Sequence, residues 1–175
     1  MRFPIIAALL AIAGATNAAD QAPPAQKPCS DPESHQFDFW IGDWDVFVPG
    51  GKQAGTNRIA PLYGCVLHES WKAMKVVEGQ SFNRYDTDRG VWHQTWVDNG
   101  GSLLLLEGGL RDGAMVLSDE GVPGRSAGAP INRVTWSRND DGSVRQHWQA
   151  SKDGGKTWTT AFDGKYVRSS RPQPG

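Results

Sequence analysis

Along most of the chain apolar and polar residues alternate one by one, the period of a β-strand whose successive side chains leave opposite faces. Turn residues interrupt the alternation again and again: Pro49-Gly50-Gly51, Asp86 to Gly90, Asp98-Asn99-Gly100-Gly101, Asp112-Gly113, Asn139 to Gly142 and Asp153-Gly154-Gly155. Between them the segments 44–48, 56–62, 65–72, 79–85, 91–97, 102–107, 114–118, 132–138, 144–151 and 157–168 read as strands. Short strands spaced about 8 to 12 residues apart by Gly, Asn and Asp turns predict a sandwich or barrel, and the hairpin-like succession favours an antiparallel meander. The fold class expected is therefore all-β, a meander barrel of about 8–10 strands. Only Phe37, Trp40, Ile41 and Trp44 are spaced like turns of helix, which places a short helical turn before the first strand.

The large aromatics orient the faces. With them inward, 65–72 points Cys65, Leu67, Glu69 and Trp71 to the interior and leaves Val66, His68 and Ser70 outside. Trp92, Gln94, Trp96 and Asp98 share the inner face of the next long aromatic strand, as do Val144, Gln146 and Trp148 further on. In 79–85, Ser81, Asn83 and Tyr85 are set inward. The last segment is read as sending Trp158, Thr160, Phe162, Tyr166 and Arg168 the same way. An interior mixing Trp with Glu, Asn and Gln is not that of a barrel filled with aliphatic side chains, because each buried polar group needs a partner. Aromatic walls with a few placed polar groups are how small-molecule sites are built. The alternative is an internal hydrogen-bond network that only fixes register.

The chain's start changes the picture of where this barrel works. Arg2 precedes an apolar run, 5–12 (IIAALLAI), and small residues follow to Ala18 and Ala19. That is the layout of a secretory signal peptide over 1–19, and the run is too short to span a bilayer. Residues 20–36 form a Pro-rich linker tethered through Cys29, 37–168 the barrel domain and 169–175 a loose tail. The expected location is periplasmic or secreted, and the two cysteines, Cys29 and Cys65, then read as one disulfide. Lys and Arg number 18 against 19 Asp and Glu, a net charge of −1, which gives no basic surface for a nucleic acid. No later segment is long and apolar enough to span a membrane as a helix.

Gly42-Asp43-Trp44 at the head of the first strand and Tyr166-Val167-Arg168 at the end of the last resemble the calycin superfamily of barrels, which includes lipocalins and nitrobindin-like proteins. The resemblance implies that Trp44 closes the barrel floor with Arg168 packed across it. Phe37 to Trp44 (FDFWIGDW), Gly64-Cys65 with Glu69 and Trp71, Trp92-x-Gln94-x-Trp96-Val97-Asp98 and the C-terminal DGGKTW and FDGKYVR resemble a family of exported bacterial proteins whose function is not settled. That likeness implies a fold and no activity. Some nitrobindin-like barrels hold haem through a histidine, but His68, His93 and His147 fall on the outer face here and His35 precedes the barrel, so neither haem nor a metal is expected. Residues 151–158 (SKDGGKTW) resemble an Asp-box, read as a stabilised hairpin turn through Asp153 with Trp158 packed beneath it, without glycosidase chemistry.

These residues point first to a barrel binding an unidentified small molecule, with Glu69, Trp71, Asn83, Tyr85, Trp92, Gln94, Trp96, Gln146 and Trp148 as its ligand-facing set. Gln94, Gln146 and Asn83 are the neutral donors expected to offset the burial of Glu69. A second reading makes Glu69 the general acid or base of a small barrel enzyme of lyase or isomerase type. A third makes the chain a structural or interaction module with a filled core.

Overall fold

The computed structural model describes residues 27–170, so the signal-peptide reading of 1–19, the linker up to residue 26 and the end of the tail lie outside the described residues. Ten strands follow one another: β1 (Gly42–Phe47), β2 (Gln53–Leu62), β3 (Val66–Ala73), β4 (Glu78–Asp86), β5 (Val91–Asp98), β6 (Leu103–Arg111), β7 (Ala114–Ser118), β8 (Ile131–Arg138), β9 (Val144–Ser151) and β10 (Thr159–Arg168). Each pairs antiparallel with the next, and β1 pairs with β10, so the sheet closes and leaves no strand edge unpaired. Among the described residues no helix is long and apolar enough to cross a membrane.

One end of the barrel is plugged. Two short 3-10 turns, Pro32–His35 and Asp38–Trp40, fold over it. Phe37 and Trp40 are fully buried, stack on one another at 5.0 Å between centroids, and meet Trp136 at 5.1 and 5.4 Å. Trp92 stands edge-on to Phe37 at 5.7 Å, and its indole N–H donates to Gln36 Oε1. Buried aromatics of this size carry most of the energy of such a plug. Residues 32–36, read from sequence as linker, are thus part of the barrel's closed end. The disulfide Cys29–Cys65, with Cα atoms 5.5 Å apart, ties the segment to the head of β3. Its loop, set by a sequence separation of 36, corresponds to on the order of 3–4 kcal/mol in the chain-entropy account.

Trp44 and Arg168 are register partners on β1 and β10, and the guanidinium carbon lies 3.9 Å from the Trp44 ring centroid. Arg168 also donates to Ile41 O at 2.7 Å, while the Trp44 indole donates to Trp40 O at 2.8 Å. Gly42 makes this possible: its φ is +142°, and a Cβ there would sit 1.7 Å from an Arg168 guanidinium nitrogen.

The inward faces of β3, β4, β5 and β9 follow the alternation read from sequence. In β10 the alternation fails. A register shift between Thr160 and Phe162 puts a bulge at Ala161. Phe162 and Tyr166 stay inward, but Thr160 turns out to meet His147 at 3.1 Å. Trp158 lies outside too, beneath the Arg133 guanidinium at 3.9 Å. The turn before it is tied as the Asp-box likeness implies. Asp153 accepts from the Thr157 backbone N–H at 2.8 Å and from its hydroxyl at 2.6 Å, and these bonds hold its carboxyl down at about 2.

Candidate functional site

The end of the barrel opposite the plug holds a cavity of about 410 Å³. Three strands build it by one rule. Glu69, Gln94 and Gln146 stand on β3, β5 and β9, and two residues further toward the mouth stand Trp71, Trp96 and Trp148. Because side chains alternate, the spacing stacks each polar group directly below a tryptophan on the same inner face. The result is a polar tier at mid-barrel and an aromatic tier above it. Phe162 joins the upper tier, edge-on to Trp71 at 6.1 Å. Leu104 from β6 and Val134 from β8 fill the wall between, and Val77, Asp98, Ser102 and Leu103 form the rim.

The polar tier is continuous. Asn57 Nδ2 donates to Glu69 Oε1 at 2.7 Å and Ser81 Oγ donates to Glu69 Oε2 at 2.6 Å. Ser81 Oγ accepts from Asn83 Nδ2 at 2.9 Å, and Gln94 Nε2 donates to Asn83 Oδ1 at 2.7 Å. On the other side Asn57 Nδ2 lies 3.4 Å from Tyr166 Oη, which donates to Gln146 Oε1. The strands deliver these partners by register: Glu69 faces Ser81 across β3–β4, and Asn83 faces Gln94 across β4–β5. Asn57 Oδ1 is buried with no partner among the described residues.

Burial dominates the electrostatics. Glu69 is 4% exposed. Loss of hydration pushes its carboxyl up to about 7, against the opposing pull of the Ser81 and Asn57 hydrogen bonds. Desolvation and the neighbouring Glu69 charge also drive the Tyr166 hydroxyl well above its usual value, so it is a neutral donor. At the rim Asp98 accepts from the Ser102 and Gly100 backbone N–H groups and from the Trp96 indole, and these bonds hold its carboxyl below the usual range. The Trp96 and Trp148 indole N–H groups are spent on Asp98 Oδ2 at 3.1 Å and Asn132 Oδ1 at 2.9 Å. Both rings are thereby fixed in orientation.

Six residues of the expected ligand-facing set line the cavity: Glu69, Trp71, Gln94, Trp96, Gln146 and Trp148. Three do not. Asn83 is fully buried within the polar tier, where it accepts from Gln94 and donates to Ser81. Trp92 belongs to the plug, and Tyr85 packs against it at 6.1 Å between centroids. These two are one layer too deep, because inward parity gives a residue's face and not its height in the barrel. The donors expected for Glu69 are also corrected: its hydrogen bonds come from Asn57 and Ser81, Asn83 donates to Ser81, Gln94 donates to Asn83 and lies 3.4 Å from Ser81, and Gln146 accepts from Tyr166. The sequence alone does not single out Asn57, because β2 carries no large aromatic to orient its faces. Its signal was the alternation Gly55, Asn57, Ile59.

The histidines stand apart from this chamber. His68 stacks on Phe82 at 4.9 Å and His93 meets Glu107 at 3.1 Å, both on the outer wall. His35 bridges Asp38 at 2.8 Å and Cys29 O at 3.1 Å beside the plug. No family model and no curated protein matches the chain.

Proposed function

We propose that this chain is an exported small-molecule-binding barrel of calycin type, taking a partly planar, partly polar ligand between its aromatic and polar tiers. One observation carries the proposal: a chamber of about 410 Å³, open at one end, whose upper wall is aromatic and whose floor is a connected polar network. Such a volume and lining suit a small organic molecule. The Trp44–Arg168 floor contact supports the calycin likeness, and the disulfide supports an oxidising compartment. The test is native mass spectrometry of protein purified from its own host. A stoichiometric small-molecule adduct, lost when Leu104→Trp fills the chamber, is the expected result. An unliganded chain whose tryptophan fluorescence no small molecule perturbs points to the filled-module reading instead.

The Glu69 carboxyl, pushed up to about 7 in an accessible aromatic chamber, favours a second reading as a general acid or base. The two readings diverge on turnover: a binder returns its ligand unchanged with or without Glu69, whereas an enzyme converts it and loses turnover in Glu69→Gln.

A further inference from the structure

The chamber's charges all have one sign. Of the described residues lining it, Glu69 at the floor and Asp98 at the rim are the carboxylic acids, and none is Lys, Arg or His. The upper tier adds the rings of Trp71, Trp96, Trp148 and Phe162. An aromatic ring presents a negative face, so cations are drawn to it, and most strongly where water is excluded. Within the polar tier Gln94 points the same way, while Gln146, whose Oε1 accepts from Tyr166, offers a neutral amide donor beside it. Gln94 lines the chamber and spends its amide N–H groups on Asn83 at 2.7 Å and Ser81 at 3.4 Å, which leaves its carbonyl oxygen as the remaining acceptor. The Trp96 and Trp148 indole donors are likewise spent, leaving the π systems to meet a ligand. A carboxylate or phosphate ligand would enter past Asp98, find no cation, and end against Glu69.

From this we infer that the chamber's ligand is an organic cation or protonated nitrogen base with an aromatic or otherwise planar body. Its charged nitrogen is held between Glu69 and the rings of Trp71, Trp96 and Trp148. The inference rests on the binding reading above and narrows it to a chemical class.

Three quinoline probes of matched shape separate the possibilities at mildly alkaline pH: N-methylquinolinium, a fixed cation; quinoline, neutral; and quinaldate, an anion. Isothermal titration calorimetry on the intact chain is expected to rank them in that order. The cation should bind roughly tenfold more tightly than the neutral ring, the scale of one desolvated cation–π contact with a nearby carboxylate. Glu69→Gln should shrink the gap between N-methylquinolinium and quinoline. Trp148→Leu, which keeps both carboxylates, should also narrow it. Binding of quinoline or quinaldate as tight as that of N-methylquinolinium overturns the charge inference and leaves the binding barrel standing. Failure of all three to bind overturns both.

Discussion

Asn57 and Glu69 meet across β2 and β3, the Asn57 amide donating to the Glu69 carboxylate over 2.7 Å inside the barrel. This bond and the one from Ser81 offset part of the cost of burying the carboxylate, and desolvation still wins. Protonation removes the cost, since a neutral Glu69 can donate to the unpartnered Asn57 Oδ1 once that amide turns over.

Stability should therefore fall as pH rises through the Glu69 titration. The folded carboxyl titrates at about 7 against 4.5 for a free one, so the folded state binds the extra proton between those values. Its contribution is fully present below the unfolded value and is lost by about 7. Linkage makes the difference on the order of 3 kcal/mol. Denaturant melts of wild type and Glu69→Gln across this range should converge at the acid end. The variant should become the more stable at the alkaline end. A pH-independent gap between them would mean that Glu69 titrates normally.

Trp44 and Arg168 lie at opposite ends of the barrel sequence yet share one contact, with Gly42 beneath it. Trp44→Ala should cost roughly 3–5 kcal/mol, as for other buried aromatics. Arg168→Ala should cost less, about 0.5–2 kcal/mol from the cation–π contact, plus the bond to Ile41 O. Gly42→Ala displaces the guanidinium, so its effect should not add to that of Arg168→Ala. A double-mutant cycle by chemical denaturation reads this directly, and full additivity would place Arg168 elsewhere.

How much of this could be seen in the sequence depends on which strand is asked. On β3, β5 and β9 a tryptophan two residues beyond Glu69, Gln94 and Gln146 fixes parity, and the three repeats of that spacing already encode both tiers. On β10 the same logic carries Phe162 and Tyr166 inward and then fails at Thr160 and Trp158, because a bulge adds a residue that no local pattern marks. Height in the barrel was illegible for another reason. It depends on inter-strand register, which places Trp92 against the plug and Trp96 at the mouth although both share a face. Asn57 was hidden because a buried asparagine looks like any polar strand residue until its partner across the sheet is known.

The mouth's shape rests on a missing side chain. Gly79 on β4 lies under the Trp96 ring: a Cβ there would stand 2.3 Å from Trp96 Cζ2, 2.4 Å from Cη2 and 2.9 Å from Val97 O. The backbone oxygen cannot retreat without breaking the β4–β5 ladder, so the ring must move. Next to that edge the indole N–H donates to Asp98 Oδ2, and the open space beside the ring is the chamber itself. Gly79→Ala should therefore tip the indole inward, break its bond to Asp98 and narrow the entrance. Overpacking of this kind costs about 1–3 kcal/mol. The Trp96 indole N–H resonance should shift and its hydrogen exchange should quicken. Affinity for N-methylquinolinium should drop with it, while the Trp44 and Trp92 resonances at the plug stay in place. An unchanged Trp96 resonance in a folded Gly79→Ala variant would show that the ring has room to spare, and that Gly79 does not set the width of the mouth.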